Sequence, residues 1–573
     1  MTIALPAEGL RSTHKLDLSW PVLILFAALL CVLIILPMTW LVYYSFVDRD
    51  GTFTLENFAR LATDPTFVDP LITTVIISFS SSVICCAFAA LMGWLVARTD
   101  MPLGNAVRAL VTASFVTPPF LGAIAWELLA APNSGLINKA WRALTGAEMD
   151  TYLLNIYTLP GLIFVISCYT FPYVFVLIAN ALDRIPGDLE DASSILGGRT
   201  WTTARRVTIP LAMPALLAGA LVAFLQSMTL FGSPAILALP AGFHTMTTKI
   251  WSLFQFPPKL ELAAAASLPL LVLTIILLRA ESMVLGRRGY SVVGGKQGNP
   301  RLVRLGALRW VALGFVFLVL AFPIFLPYAA LINGAFSRVA SQFIWFDNFT
   351  FQNFDFVFFQ LSATKLAVKN TFILGMLAAT MGTILAVVIS YVTSRKAIAG
   401  HRALGFLATA PVAIPGIVLG VGLFLSYARP PFVLYGTLWI LLIAFVTIAL
   451  PAAYQQMQSA FRSVHSDLEE AGRILGATRL RTLRDITAPL LRTSVIATWC
   501  FIFVGVMREL SAAVILFTSE TKVISVLIFD LKESGDLGAI SVLGLAMLVI
   551  TFAVVVAVNR VPGLGGAHRL RNQ

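Results

Sequence analysis

Uninterrupted apolar length constrains this chain more than any motif in it. Residues 18–47, 70–97, 151–182 and 310–337 contain no Asp, Glu, Lys or Arg, and each exceeds the roughly 20 apolar residues that cross a bilayer core as a helix. Hydrocarbon offers no water to unpaired backbone N–H and C=O groups, so a spanning segment must be a helix or a strand of a closed barrel. Barrel strands alternate apolar and polar residues over short segments, and these runs are too long and too evenly apolar for that. The chain is also 58% hydrophobic and only 12% charged, which leaves too little polar surface to cover a water-soluble protein of this size. An all-α integral membrane protein is expected.

The net charge of +12 raises the question of nucleic acid, but cytoplasmic loops of membrane proteins carry the same basic bias. Arg279, Arg287, Arg288, Lys296, Arg301, Arg304 and Arg309 cluster with Glu281 as the only acid among them, which marks a cytoplasmic connector. The segment after the first apolar run, DRDGTFTLENFARLATDPTFVD, is mainly acidic and reads as an external loop. Both termini are then expected in the cytoplasm. The first run follows Arg11 and Lys15 and continues past Tyr44 without a small-residue cleavage site, so it reads as a retained helix. Cys31, Cys85, Cys86, Cys168 and Cys500 lie in apolar segments and read as small hydrophobes.

The apolar runs number about 12 and fall into two sets of six. The first set lies near 20–46, 71–97, 107–128, 157–181, 212–236 and 262–284; the second lies near 308–333, 368–394, 403–427, 433–456, 494–516 and 538–559. Pro210, Pro214, Pro234 and Pro240 interrupt the fifth run, which is expected to be broken or re-entrant. The sets are copies. Thr74 to Arg98 matches Thr371 to Arg395 at an offset of 297, which extends to Pro118 and Pro415. The offset then becomes 279, relating Pro172 to Pro451, Gly197 to Gly476 and Pro210 to Pro489, because the first copy carries an insertion of 18 residues around APNSGLINKAWRALTGAEMD. An even number of helices returns each copy to its starting side, so the repeats are parallel. The expected organisation is a first half at 1–290, a basic connector at 291–307 and a second half at 308–573, while the first helix and loop of each half look generic.

One polar segment interrupts each half after its fourth helix, at about 182–211 and 461–490. The first contains Glu190, Asp191, Ala192, then Gly197 and Val207-Thr208-Ile209-Pro210; the second contains Glu469, Glu470, Ala471, then Gly476 and Ile486-Thr487-Ala488-Pro489. Each reads as a short helix, a glycine turn and a second segment stopped near proline. Ile195-Leu196 and Ile474-Leu475 give each short helix a small apolar face suited to a groove on a soluble partner. A single helix of this kind more often lies on its own bundle or at the lipid interface. Two equivalent copies favour docking onto two like subunits.

These loops resemble the signature of the permeases of binding-protein-dependent ATP-binding-cassette importers: Glu-Ala-Ala, three residues, Gly, nine residues, Ile-x-Leu-Pro. The spacing holds twice, with Asp191 for Glu, Ser193 and Gly472 for the second Ala, Val207 for Ile, and Ile209 and Ala488 for Leu. The resemblance implies a type I importer-like fold. It also implies coupling helices that fit two copies of an ATPase subunit, and a periplasmic solute-binding protein as the other partner. The fused two-half arrangement, with VGVMRELSAAVIL and IFDLKESGDLGAISVLG, resembles the ferric-iron permease group, whose relatives handle thiamine, phosphonates, sugar phosphates and polyamines. The location implied is the bacterial inner membrane.

The chain has no phosphate loop of its own. Its only Gly-Lys pair, Gly295-Lys296, is followed by Gln297, and Tyr290 stands where the leading glycine belongs. No catalytic residue and no cofactor are expected here, ATP and magnesium being bound by the partner ATPase. His14, His244, His401, His465 and His568 are too scattered for a metal site. Arg508 and Glu509 interrupt the eleventh helix beyond mid-membrane, where charges are costly. They read equally as part of a translocation path or as a structural pair at a bend. The competing class is an ion-coupled secondary transporter, which also shows parallel six-helix halves; the scarcity of carboxylates in the spans argues against it.

Overall fold

The structure, a computed structural model, describes residues 19–286, 302–344, 347–398 and 400–560. Most of the expected connector, 291–301, lies outside the described residues. The first half consists of α1 (Ile24–Ser45), α2 (Pro65–Arg98), α3 (Gly104–Val116), α4 (Pro119–Ala130), α5 (Leu136–Thr145), α6 (Leu159–Asp183), α7 (Gly187–Ile195), α8 (Trp201–Thr229), α9 (Gly232–Leu237), α10 (Met246–Ser252) and α11 (Leu260–Gly286). The second half consists of α12 (Leu308–Phe336), α13 (Ser362–Ser394), α14 (His401–Ala413), α15 (Gly416–Tyr427), α16 (Leu438–Ser463), α17 (Ser466–Ile474), α18 (Leu483–Arg508), α19 (Ala513–Leu516), α20 (Ile524–Ser534) and α21 (Leu537–Arg560). Among the described residues, ten helices are long and apolar enough to span, or 12 if each of the pairs α3–α4 and α14–α15 crosses once; those pairs bend by 99° and 109°. Both bends fall at the repeated prolines, Pro118 and Pro415, whose extended backbone caps the next helix.

The fifth run of the first half is broken, as expected, but past Thr229, in the stretch that holds Pro234 and Pro240, and not at Pro210 or Pro214. Pro210 and Pro214 are absorbed into α8, which runs to Thr229 before the chain turns into α9. One widened turn explains how. The Ile209 N–H reaches back five residues to the Ala204 carbonyl, and in the second half the Ala488 N–H reaches Leu483. Proline at the next position has no N–H to give and its ring crowds the preceding turn, so an i→i−5 turn relieves both. The polar segments therefore run on into spanning helices instead of stopping at proline.

The same device recurs in the first helix of each half and ties the halves together. Leu36, before Pro37, bonds Cys31, and Leu326, before Pro327, bonds Ala321, which frees the carbonyls of Val32 and Phe322. Tyr427 donates its hydroxyl to Val32 at 2.8 Å, and Trp126 donates its indole N–H to Phe322 at 3.2 Å. Each donor sits on the bent span of the opposite half, so α1 packs on α15 and α12 packs on α4. A buried carbonyl needs a partner, and here the other half provides it.

The first loops are copied as well, contrary to the generic appearance of these regions in sequence. Phe46 stacks on Phe53 and Phe336 on Phe349, each pair within 2° of parallel. Thr54 N–H bonds the Phe46 carbonyl and Thr350 N–H the Phe336 carbonyl, both at 2.8 Å. Asn57 and Asn353 then donate to carbonyls at the end of the helix before them. The shared pattern is Thr-x-x-Asn-Phe at residues 54–58 and 350–354, obscured by a loop of different length.

Candidate coupling surface

The short helices α7 and α17 end in the same cap. Gly197 and Gly476 have φ of +81° and +89°, the left-handed region where a side chain is disfavoured. Gly197 N–H bonds the Ser194 carbonyl at 3.0 Å and Gly198 N–H that of Ser193 at 2.8 Å; Gly476 and Ala477 make the matching bonds to Arg473 and Gly472, both at 3.0 Å. This reciprocal pair satisfies helix-terminal carbonyls and reverses the chain. It leaves Ile195 and Leu196 at 84% and 87% exposure and Ile474 and Leu475 at 85% and 87%. Two apolar side chains therefore project from each turn to the same extent in both halves.

Behind each knob, one carboxylate fixes the helix to the bundle. Thr208 donates to Glu190 Oε1 at 2.8 Å, Arg98 Nη1 lies 3.6 Å from Glu190 Oε2, and Arg98 Nη2 bonds the Ile185 carbonyl at 2.8 Å. In the second half, Thr487 donates to Glu469 Oε1 at 3.1 Å, Arg395 Nη2 bonds it at 2.9 Å, and the same nitrogen bonds the Val464 carbonyl at 3.0 Å. Arg98 is 1% exposed. A buried guanidinium requires such pairing. Because Thr208 and Thr487 belong to the widened turns in the first part of α8 and α18, each clamp joins the second span, the short helix and the fifth span.

Glu190 and Glu469 thus work inward, whereas Asp191, Ala192, Glu470 and Ala471 lie on the exposed side of their helices. Pro210 and Pro489 are exposed just after the widened turns. The structure brings these groups together in each half. Reading the sequence missed Arg98, Arg395, Thr208 and Thr487 as partners of the carboxylates. The signal was available: the arginines close the matching segment at offset 297, and the threonines match at 279.

Arg508 and Glu509 lie elsewhere, at the far end of α18, about 38 Å from its start at 1.5 Å per residue. Among the described residues they do not pair with one another. Arg508 Nη1 donates to the Phe115 carbonyl of the first half. Glu509 Oε1 accepts from Ala512 N–H at 3.0 Å, and its backbone carbonyl accepts from Ser525 at 2.7 Å. The backbone half of this arrangement is symmetric, since Thr247 donates to the Leu230 carbonyl at 2.9 Å. Glu509 therefore bonds within the bend after α18, Arg508 reaches the first half, and both residues remain partly exposed.

Comparison with known proteins agrees with this duplicated architecture. The model of the family described as "Binding-protein-dependent transport system inner membrane component" matches twice, at residues 89–284 and 382–562. The ferric transport system permease protein FbpB of Actinobacillus pleuropneumoniae is 27% identical over 458 residues, covering 78% of this chain and 64% of that protein. The chain thus spans less than two thirds of that relative. The putative ferric transport system permease protein FbpB 1 of Haemophilus influenzae is 25% identical over 513 residues, covering 87% of this chain and 78% of that protein. A putative 2-aminoethylphosphonate transport system permease protein PhnV of Salmonella paratyphi A is 26% identical over 151 residues, covering 26% of this chain and 57% of that protein. With two matched copies, two copied candidate coupling surfaces and a helical bundle of spanning length, this chain belongs to the family of inner membrane permease components of binding-protein-dependent transport systems.

Proposed function

We propose that this chain supplies the whole membrane pathway of an ATP-driven importer. Two copies of an ATP-binding-cassette ATPase dock on its coupling surfaces, and an external solute-binding protein delivers solute at the opposite face. The observation that carries the reading is the pair of equally exposed Ile-Leu knobs, each clamped through Glu190 or Glu469 to the spans behind it. A rigid, doubled, apolar projection suits a groove on each of two like subunits. ATP and magnesium belong to those subunits, and both termini of this chain face the cytoplasm, in keeping with the basic cluster between the halves. Uptake into vesicles should require ATP and a separate ATPase. Uptake driven by an ion gradient with no ATPase present overturns the reading.

For the solute we propose ferric iron or a small ferric complex. The support is the name shared by the two FbpB relatives above, which match 78% and 87% of the chain. Deleting the gene should lower uptake of labelled ferric iron under iron limitation. A phosphonate is the second reading, favoured by the PhnV match over 151 residues; unchanged iron uptake with lost growth on 2-aminoethylphosphonate would select it.

A further inference from the structure

A charged cluster joins the halves at the end of the molecule remote from the coupling surfaces. Lys532 Nζ of α20 lies 2.5 Å from Glu127 Oε1 of α4, and the Tyr157 hydroxyl donates to the same oxygen at 2.7 Å. The Glu127 side chain is 7% exposed, and its Oε2 is buried without a partner. Tyr157 stands two residues before α6, a span of 25 residues that leads to the first coupling surface.

The repeat shows what this fold uses at the equivalent place. At offset 297 Glu127 corresponds to Phe424. Met246 and Ile524 both give their N–H to a threonine hydroxyl, Thr74 and Thr371, at 2.8 Å, an offset of 278 that relates Lys532 to Phe254. Phe254 and Phe424 are indeed in edge contact, with centroids 5.4 Å apart, and Tyr435 packs on Phe424 at 5.0 Å. Between the two seams, the equivalent residues Trp251 and Phe529 touch one another at 5.6 Å, which sets them beside the axis relating the halves. One side of this axis is closed by an ion pair and the other by aromatic rings.

The two closures respond differently to water. Separating rings exposes apolar surface, at about 25 cal/mol per Å². Separating an ion pair as water enters returns both charges to solvent, which offsets their lost attraction. Packing apolar groups in place of a buried pair is often neutral or stabilising, and the aromatic seam shows that this fold accommodates them. The ionic version is thus not needed for cohesion. We propose that Glu127, Lys532 and Tyr157 form the latch of the outer gate, and that the pathway opens on their side while the Phe254–Phe424 seam acts as its hinge. Lys532 is carried by α20, which Ser525 bonds to the end of α18; movement begun at the second coupling surface reaches the latch along that helix.

This proposal rests on the reading of the chain as an importer pore, but accessibility tests it without solute or ATPase. Ser525→Cys reports on the latch side and its equivalent Thr247→Cys on the hinge side; both native residues are buried. Labelling by a membrane-impermeant thiol reagent from outside is measured in membranes, above that of the chain without the added cysteine. Glu127→Gln and Lys532→Gln should each speed labelling of Ser525→Cys about tenfold, the scale expected when about 1.4 kcal/mol is taken from a closed state. Labelling of Thr247→Cys should stay within about twofold of the parent, well inside that scale. The exchange Glu127→Lys with Lys532→Glu should restore slow labelling, and Tyr157→Phe, which removes one hydrogen bond, should give an intermediate rate. Equal acceleration at both cysteines, no acceleration at either, or an exchange variant as fast as the singles overturns the latch. Loss of ATP dependence with the labelling pattern intact would overturn the importer reading alone.

Discussion

Replacing Ile474 and Leu475 together by alanine separates docking from folding. Both side chains are at least 85% exposed, so their loss removes almost no contact from the chain itself and should change stability by less than about 0.5 kcal/mol. If an ATPase groove buries them, each truncation forfeits about three carbons at about 0.8 kcal/mol apiece, or about 2 kcal/mol per side chain. The pair then contributes about 4 kcal/mol, which is about a thousandfold in Kd. The purified chain in nanodiscs is titrated with fluorescent ATPase subunit, and thermal unfolding is followed in parallel. Ile195→Ala with Leu196→Ala should act alike, since its side chains are equally exposed. A Kd within about threefold of the parent, less than 1 kcal/mol, would refute the docking assignment. A large fall in Tm would refute the claim that the knobs are free of the bundle.

Two further predictions concern the supports of those knobs. Arg98→Ala leaves Glu190 held by Thr208 without its guanidinium and should destabilise the first candidate coupling surface by about 3 kcal/mol, seen as raised proteolysis of residues 187–208; unchanged protection would count against the clamp. Gly197 and Gly476 have no atom within 4 Å of an added Cβ, so alanine should cost only the left-handed backbone penalty of about 1–2 kcal/mol, whereas Gly476→Arg should also block ATPase binding, and normal uptake in the double Gly197→Arg, Gly476→Arg variant sinks the coupling role.

Much of the architecture was legible because it depends on local composition. The apolar runs mark spans by length alone, and the Glu-Asp-Ala and Glu-Glu-Ala loops stand out because charge interrupts hydrophobicity at a matched offset. The breaks were harder to read. Pro210 and Pro214 look like helix stops because proline lacks an N–H, yet a single widened turn absorbs the loss at Ile209 and lets α8 continue. The sequence contains the proline but not the neighbour that decides between a stop and a widened turn. At Val32 and Phe322 that neighbour is a ring donor from the opposite half.

The partners of the clamp and of the latch were hidden for a different reason. Arg98 and Glu190 are separated by most of two spans, and Glu127 and Lys532 by 405 residues; neither separation has a period that a single sequence reveals. The repeat narrows the search for the clamp, because Arg98, Glu190 and Thr208 all have identical counterparts. For the latch it works in the opposite direction. Lys532 corresponds to Phe254 and Glu127 to Phe424, so a search for agreement between copies passes over all four. Where the halves agree, both must meet like partners; where they disagree in charge at one inter-half contact, the two sides of the axis cannot respond equally to water. On the proposed reading, a duplicated permease therefore couples alike at its two docking surfaces while opening unequally at its outer face.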